Sequence, residues 1–190
     1  MPMPERFAAR DGALLVVDVQ ERLIPAILDR DRLVANAIRL ALAARMLDVP
    51  SFATEQYPQG LGPTVPELAG LFAERPAKLT FHACGAPGLV DHLGGAGIRH
   101  VTVTGIESHI CVAQTAVELL RLGYRVQVPV DAVGSRFRLD HDVALRRLER
   151  AGAVLTTTEA ALFEWAETAA HPLFKRIAAL VKDRPPDTPA

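Results

Sequence analysis

The sequence predicts an α/β protein: a three-layer α/β/α fold on a six-stranded, mainly parallel, Rossmann-like sheet. Three observations lead there. Short apolar runs recur at 13–20, 50–54, 77–81, 100–104, 124–130 and 153–157. The run "ALLVVDVQ" (13–20) is continuous, the pattern of a strand covered on both faces. Helical stretches fall between them, and strand–helix alternation is the order that gives a parallel sheet flanked by helices. The 190 residues suit a single domain over 1–190. A chain of that size buries roughly 70% of the surface its unfolded form exposes. The stretches 1–10 and 183–190 are expected to be flexible ends.

Each element has its own justification. "ALLVVDVQ" (13–20) opens the sheet and carries Asp18 near its end. "DRLVANAIRLALAARMLDV" (31–49) reads as a helix with Arg32, Asn36 and Arg39 as its polar stripe. "PSFAT" (50–54) is the second strand, and the Pro- and Gly-rich "EQYPQGLGPTVPEL" (55–68) a loop. "AKLTF" (77–81) is the third strand, followed by a short helix, "GLVDHLGGAG" (88–97). "HVTVT" (100–104) is the fourth. "CVAQTAVELLRLG" (111–123) is a helix with Cys111 at its start and Gly123 at its end. "YRVQVPV" (124–130) is the fifth strand, and "DHDVALRRLERAG" (140–152) a helix with an acidic start. "AVLTT" (153–157) is the sixth. Thr156 and Glu159 have the spacing of a capping box. "HPLFKRIAALVK" (171–182) closes the pattern as an amphipathic helix.

Composition narrows the function. The chain is 49% hydrophobic and 23% charged, with net charge -1 and no dense Lys/Arg run. Neither a nucleic-acid nor a membrane partner is expected from that balance. The N-terminal "MPMPERFAARDG" has no apolar core, so no signal peptide is expected. Two cysteines make no disulfide framework and lack zinc-site spacing. A cytoplasmic location with both thiols reduced follows as the expectation. No glycine phosphate fingerprint is present, because "GGAG" (94–97) follows a helix and precedes a strand.

In parallel sheets of this kind ligands bind beyond the carboxyl ends of the strands. Asp18, Lys78 and Cys111 all fall there or close by. Buried Asp and Lys are costly unless paired. On residue types and spacing alone, two readings stand: an ion pair beside a packed cysteine, or a nucleophilic site. In the second, a helix start and an ammonium favour the Cys111 thiolate, and Asp18 serves as base. Backbone N–H groups of the "GIESHIC" turn then form an oxyanion hole.

The chain resembles the isochorismatase-like cysteine hydrolases. The resemblance rests on "ALLVVDVQ" (13–20), "AKLTF" (77–81) and "VTGIESHICVAQTAVELLRLGYRVQVPVDAVGSR" (103–136). "TEQYPQGLGPTVPEL" (54–68), "TTTEAALFEW" (156–165) and "HPLFKRIAALVK" (171–182) look like the isochorismatase domain-containing subgroup. The resemblance implies an Asp18–Lys78–Cys111 triad. It also implies a non-proline cis peptide at Ile106–Glu107 and an oxyanion hole from the N–H groups of Glu107 and Cys111. The implied activity is hydrolysis of an amide-type C–N bond of a small molecule through a thioester. Two alternatives remain open: vinyl-ether hydrolysis of the isochorismatase type, which needs no cysteine, and a non-catalytic domain binding a metabolite or partner. Metal-dependent members carry Asp and His after strand two. Here "TEQYPQGLGP" has no His, and Gln56 stands where the first metal Asp would fall, so no metal and no cofactor are expected.

Further residues are weighed beside these. Gln56 and Tyr57 are candidate substrate contacts on the loop after strand two, and His82 shares strand parity with Lys78. Cys84, in "HACGAPG", reads as a structural thiol because no helix start follows it. Glu107 reads as a backbone contributor and His109 as a surface histidine, with a role as base the sharper alternative. Asp131 and Arg136 read as fixing the turn after strand five. Arg146, Arg147 and Arg150 read as a solvated face, with Asp142 spaced to pair with Arg146. The narrow polar stripes, notably on 31–49, suggest burial beyond one subunit or deep in the fold, and the resemblance implies a homo-oligomer.

Overall fold

The computed structural model describes residues 6–182; the stretches 1–5 and 183–190, named above as parts of flexible ends, lie outside the described residues. Seven parallel strands form the sheet: β1 (Gly12–Val17), β2 (Ser51–Gln56), β3 (Ala77–Lys78), β4 (His100–Ile106), β5 (Arg125–Pro129), β6 (Val133–Gly134) and β7 (Val154–Thr156). Their order is β3-β2-β1-β4-β5-β7, with β6 paired to the end of β4. The chain steps outward from β1 through β2 to β3, then returns to lay β4 on the other side of β1. The topological switch therefore lies between β1 and β4, where ligands of such sheets bind.

The apolar runs explain the layers. Along β1, Leu14 and Val16 face one core and Ala13, Leu15 and Val17 face the other. The first core is covered by α1 (Arg30–Met46), α7 (Thr158–Ala166) and α8 (Phe174–Lys182), which supply Leu33, Leu40, Leu162, Trp165 and Ile177. The second is covered by α4 (Leu89–Gly95), α5 (Ala113–Arg121) and α6 (Arg138–Arg150), which supply Leu89, Leu93, Ala116, Leu119 and Leu148. The predicted three layers are present, and the six expected strands become seven through the two-residue β6.

Local departures have physical causes. The third strand ends at Lys78 rather than at 81, because the chain curls back to place the carbonyls of Thr80 and Phe81 on the Lys78 ammonium. The loop 55–68 contains two short helices, α2 (Pro58–Leu61) and α3 (Pro66–Ala69), each started by a proline at its first position. Of the α1 stripe, Arg32 stays exposed while Asn36 and Arg39 turn to protein partners. Asn36 is buried and donates to the Asp131 carbonyl at 2.8 Å, while Arg39 reaches the Leu180 carbonyl at 2.9 Å. Burial within the fold thus accounts for the narrowness of that stripe. The cap of α7 sits one residue later than expected: the Thr157 hydroxyl accepts from the Ala160 N–H. Asp142 pairs with Arg138 instead of Arg146. Phe7 and Ala8, within the stretch expected to be loose, are buried; the Phe7 N–H donates to Glu164 and its ring meets His100 edge-on at 5.0 Å.

Candidate active site

β1 and β4 meet closely at their carboxyl ends. Gly105 pairs with Val17 at φ +117°, and a Cβ there would stand 2.1 Å from the Val17 carbonyl oxygen. Only glycine fits both the conformation and the approach. Immediately past Val17 the chain turns at Asp18, which adopts φ 53° and is fully buried. Its two carboxylate oxygens have separate partners. Oδ1 accepts from the Thr54 hydroxyl at 2.8 Å and Oδ2 from Lys78 Nζ at 2.6 Å.

Lys78 is equally enclosed, with no side-chain surface exposed. Its ammonium also donates to Gln56 Oε1 at 2.8 Å, the Phe81 carbonyl at 3.1 Å and the Thr80 carbonyl at 3.2 Å. A buried ammonium needs this density of acceptors to stay charged. Gln56 is in turn fixed. Its side chain donates to the Leu79 carbonyl at 3.0 Å and its backbone N–H to Gln20 Oε1 at 2.7 Å. Gln20 closes the arrangement through the Gln56 and Gly62 carbonyls.

Cys111 completes the group. It lies in a π-helical turn, Ser108–Val112, between β4 and α5, rather than at the first residue of the helix itself. The thiol is buried near the Asp18 carboxylate and the Lys78 ammonium, both of which act on it electrostatically. Burial, then the Asp18 carboxylate, push it from 9.0 up to about 12, with Lys78 pulling the other way. The resting group is therefore a thiol beside a carboxylate, not a standing thiolate. The expected gain from a helix start and an ammonium is outweighed by desolvation. Attack by sulfur from this state would require a base, and Asp18 is the neighbouring carboxylate.

The turn leading to Cys111 begins with a cis peptide at Ile106–Glu107. Glu107 does more than supply backbone: its buried carboxylate accepts from Arg136 Nε at 3.1 Å and from the Arg136 backbone N–H at 3.0 Å. Asp131 fixes the following connection by accepting from the Thr158 N–H and hydroxyl.

The remaining candidates divide. Gln56 joins the site as a partner of Lys78, and its amide is committed to protein partners. Tyr57 is half exposed and its ring lies over Gly60. His82 does not share a strand with Lys78, so the parity argument fails. It lines a cavity of about 580 Å³ beside α5 and α6, with His109, Arg147 and Arg150. Cys84 is half-buried and pushed up to about 11 by burial and then by Glu118. Thr54 and Gln20 were missed; their signal was a polar residue ending each of two apolar strands. Among the described residues no three His, Cys, Asp or Glu side chains converge as metal ligands.

The chain is similar to known proteins over most of its length. The family model described as Isochorismatase domain matches residues 12–160. Isochorismatase domain-containing protein 2A of Mus musculus is 40% identical over 184 residues, covering 96% of this chain and 88% of the relative. The solved structure described as MAR1 ribonuclease from Caenorhabditis elegans superposes with TM-score 0.90 at 38% identity, covering 98% of each chain. YcaC from Escherichia coli, described as an octameric hydrolase of unknown specificity, superposes with TM-score 0.87 at 26% identity, covering 95% of this chain and 91% of its own. YcaC from Pseudomonas aeruginosa, solved with hexane-2,5-diol and covalent acrylamide, gives TM-score 0.86 at 26% identity, covering 93% and 90%.

Proposed function

The chain belongs to the isochorismatase family of hydrolases, and on that footing we propose that it is a metal-independent cysteine hydrolase cleaving an amide-type C–N bond of a small molecule. The observation that carries this reading is the buried convergence of the Cys111 thiol, Asp18 and Lys78. Asp18 takes the thiol proton as sulfur attacks the carbonyl carbon. The oxyanion that forms is received by the N–H groups of Glu107 and Cys111. The C–N bond then breaks, Asp18 returns the proton to the leaving nitrogen, and a thioester remains on Cys111. Water gives a proton to Asp18 as its oxygen attacks the thioester, the C–S bond breaks, and the proton goes back to sulfur. Lys78 offsets the Asp18 charge throughout and holds the carboxylate oriented, with Thr54 on its other oxygen. A relative of the same fold holds acrylamide covalently; acrylamide is a conjugate acceptor that reports a reactive nucleophile and says nothing of C–N cleavage.

A panel of small amides assayed with wild type and Cys111→Ala tests the reading. Saturable turnover that falls at least about 10³-fold in the variant is expected. Turnover that survives Cys111→Ala would instead support vinyl-ether chemistry, and no turnover together with tight metabolite binding would support a non-catalytic domain.

A second reading comes from the likeness to a structure described as a ribonuclease. Its support in this chain is the cavity where His82 and His109 stand with Arg147 and Arg150, two imidazoles beside two cations. Cleavage of short single-stranded RNA lost in His109→Ala but kept in Cys111→Ala would favour it. The net charge of -1 favours the small-molecule reading.

The proposed assembly is a homo-oligomer. Leu79 and Phe81 stand exposed beside Lys78, and the E. coli relative is octameric. The proposed location is the cytoplasm; among the described residues no helix is long and apolar enough to cross a membrane.

A further inference from the structure

Three consecutive side chains just ahead of the nucleophile bond to one other segment. Glu107 takes Arg136, as described. Ser108 Oγ lies 3.0 Å from His141 Nδ1. His109 Nδ1 lies 3.0 Å from Ser135 Oγ, and its Nε2 lies 3.9 Å from Asp140 Oδ2. Serine and histidine thus exchange places across the gap: the turn supplies one of each, and the 135–141 segment supplies the other of each.

We propose that His109 and His141 are positioning residues for Cys111: through Ser135 and Ser108 they clamp the turn 108–112 to the 135–141 segment and so set where the thiol and its neighbouring N–H groups stand. This rests on the reading of Cys111 as nucleophile.

The physical case has three parts. The π-helical turn lacks the regular α ladder, and Ile110 and Val112 both bond to the single Glu107 carbonyl. Its placement therefore leans on outward contacts. Ser108 and Ser135 are both buried, where a hydroxyl without a partner is costly, and the histidines are partners for them. The far side of the clamp is itself anchored. Gly134 pairs with Ile106 in the sheet, and the Ser135 carbonyl accepts from the Leu28 N–H at 3.1 Å.

Asp140 Oδ2 faces His109 Nε2, and an Nε2–H tautomer leaves Nδ1 to accept from Ser135. Asp142, Arg138, Arg32 and Asp29 surround His141, and burial holds it below the ordinary 6.5, so its Nδ1 is free to accept from Ser108 at neutral pH.

The test measures acrylamide labelling of Cys111 by peptide mass spectrometry, with Cys84 in the same sample as reference. His141→Leu is expected to slow Cys111 relative to Cys84 by about fivefold, the equivalent of one hydrogen bond. His141→Asn keeps a polar atom near the Nδ1 position and is expected to stay within about twofold of wild type. Ser108→Ala should match His141→Leu, and the double variant should be no slower than either. His109→Leu and His109→Asn form a second pair on the less enclosed side, which decides the matter if His141→Leu does not fold. Wild-type ratios in both leucine variants would overturn the clamp. Amide turnover that survives Cys111→Ala would overturn the nucleophile reading itself, separately from any labelling ratio.

Discussion

Lys78 and Asp18 are each other's main reason for being buried. Removing one leaves the other's charge without its partner inside the protein, a loss of about 3–5 kcal/mol. Lys78→Met is expected to lower stability by that amount in urea, and Asp18→Asn combined with Lys78→Met to recover part of it. A double variant as unstable as the sum of the singles would show that the two do not interact. The cysteines add a pH signature. Folding raises Cys111 from 9.0 to about 12 and Cys84 from 9.0 to about 11. The unfolded chain therefore loses these protons first as pH rises. Their contribution to stability is whole below about pH 9 and is lost progressively from there toward 11–12. Thermal midpoints are expected to fall over that window, and less steeply in Cys84→Ala/Cys111→Ala. At this scale the sequence made the buried Asp18 and Lys78 legible as a candidate pair, because an Asp ending an apolar strand and a Lys within one are each costly alone. It did not disclose the supporting contacts. Nothing in the sequence neighbours of Gln56, a candidate substrate contact, shows that Lys78 donates to its side-chain oxygen.

Among the elements, the β1–β4 pair is the most exacting. Gly105→Ala would drive a methyl into the Val17 carbonyl and force a side chain into φ +117°. A loss of more than about 2 kcal/mol is expected by chemical denaturation, and wild-type stability would contradict the close approach. The apolar runs located most strands because strands buried on both faces leave a strong pattern. β6 was not legible, since Val133 and Gly134 carry no periodicity. β3 was read too long because "AKLTF" is apolar and β-prone while its chain path is set by an ammonium. The π-helical turn at Cys111 reads in sequence as an ordinary helix start. The α1 stripe misled for a different reason: a buried Asn36 looks like a surface Asn36 until its acceptor, the Asp131 carbonyl far along the chain, is known.

For the whole molecule, the proposed oligomer predicts a sedimenting mass that is a multiple of the 20.5 kDa chain at micromolar concentration. A single-subunit mass there would remove it. The narrow stripe on α1 allows burial deep in the fold or beyond one subunit, and Asn36 is buried inside the fold, so the weight for self-association falls on exposed Leu79 and Phe81 and on the resemblance. The strand order has a temporal consequence. β1 pairs with β2 on one edge and with β4 on the other. A chain growing from its N-terminus can form the first pairing early, but the second must wait for residues 100–106. Through that interval β1 presents an open edge, and Leu15 and Val17 lack most of the helices that will cover them. Nascent chains stalled between β3 and β4 are the ones that should need a chaperone and, without one, should aggregate.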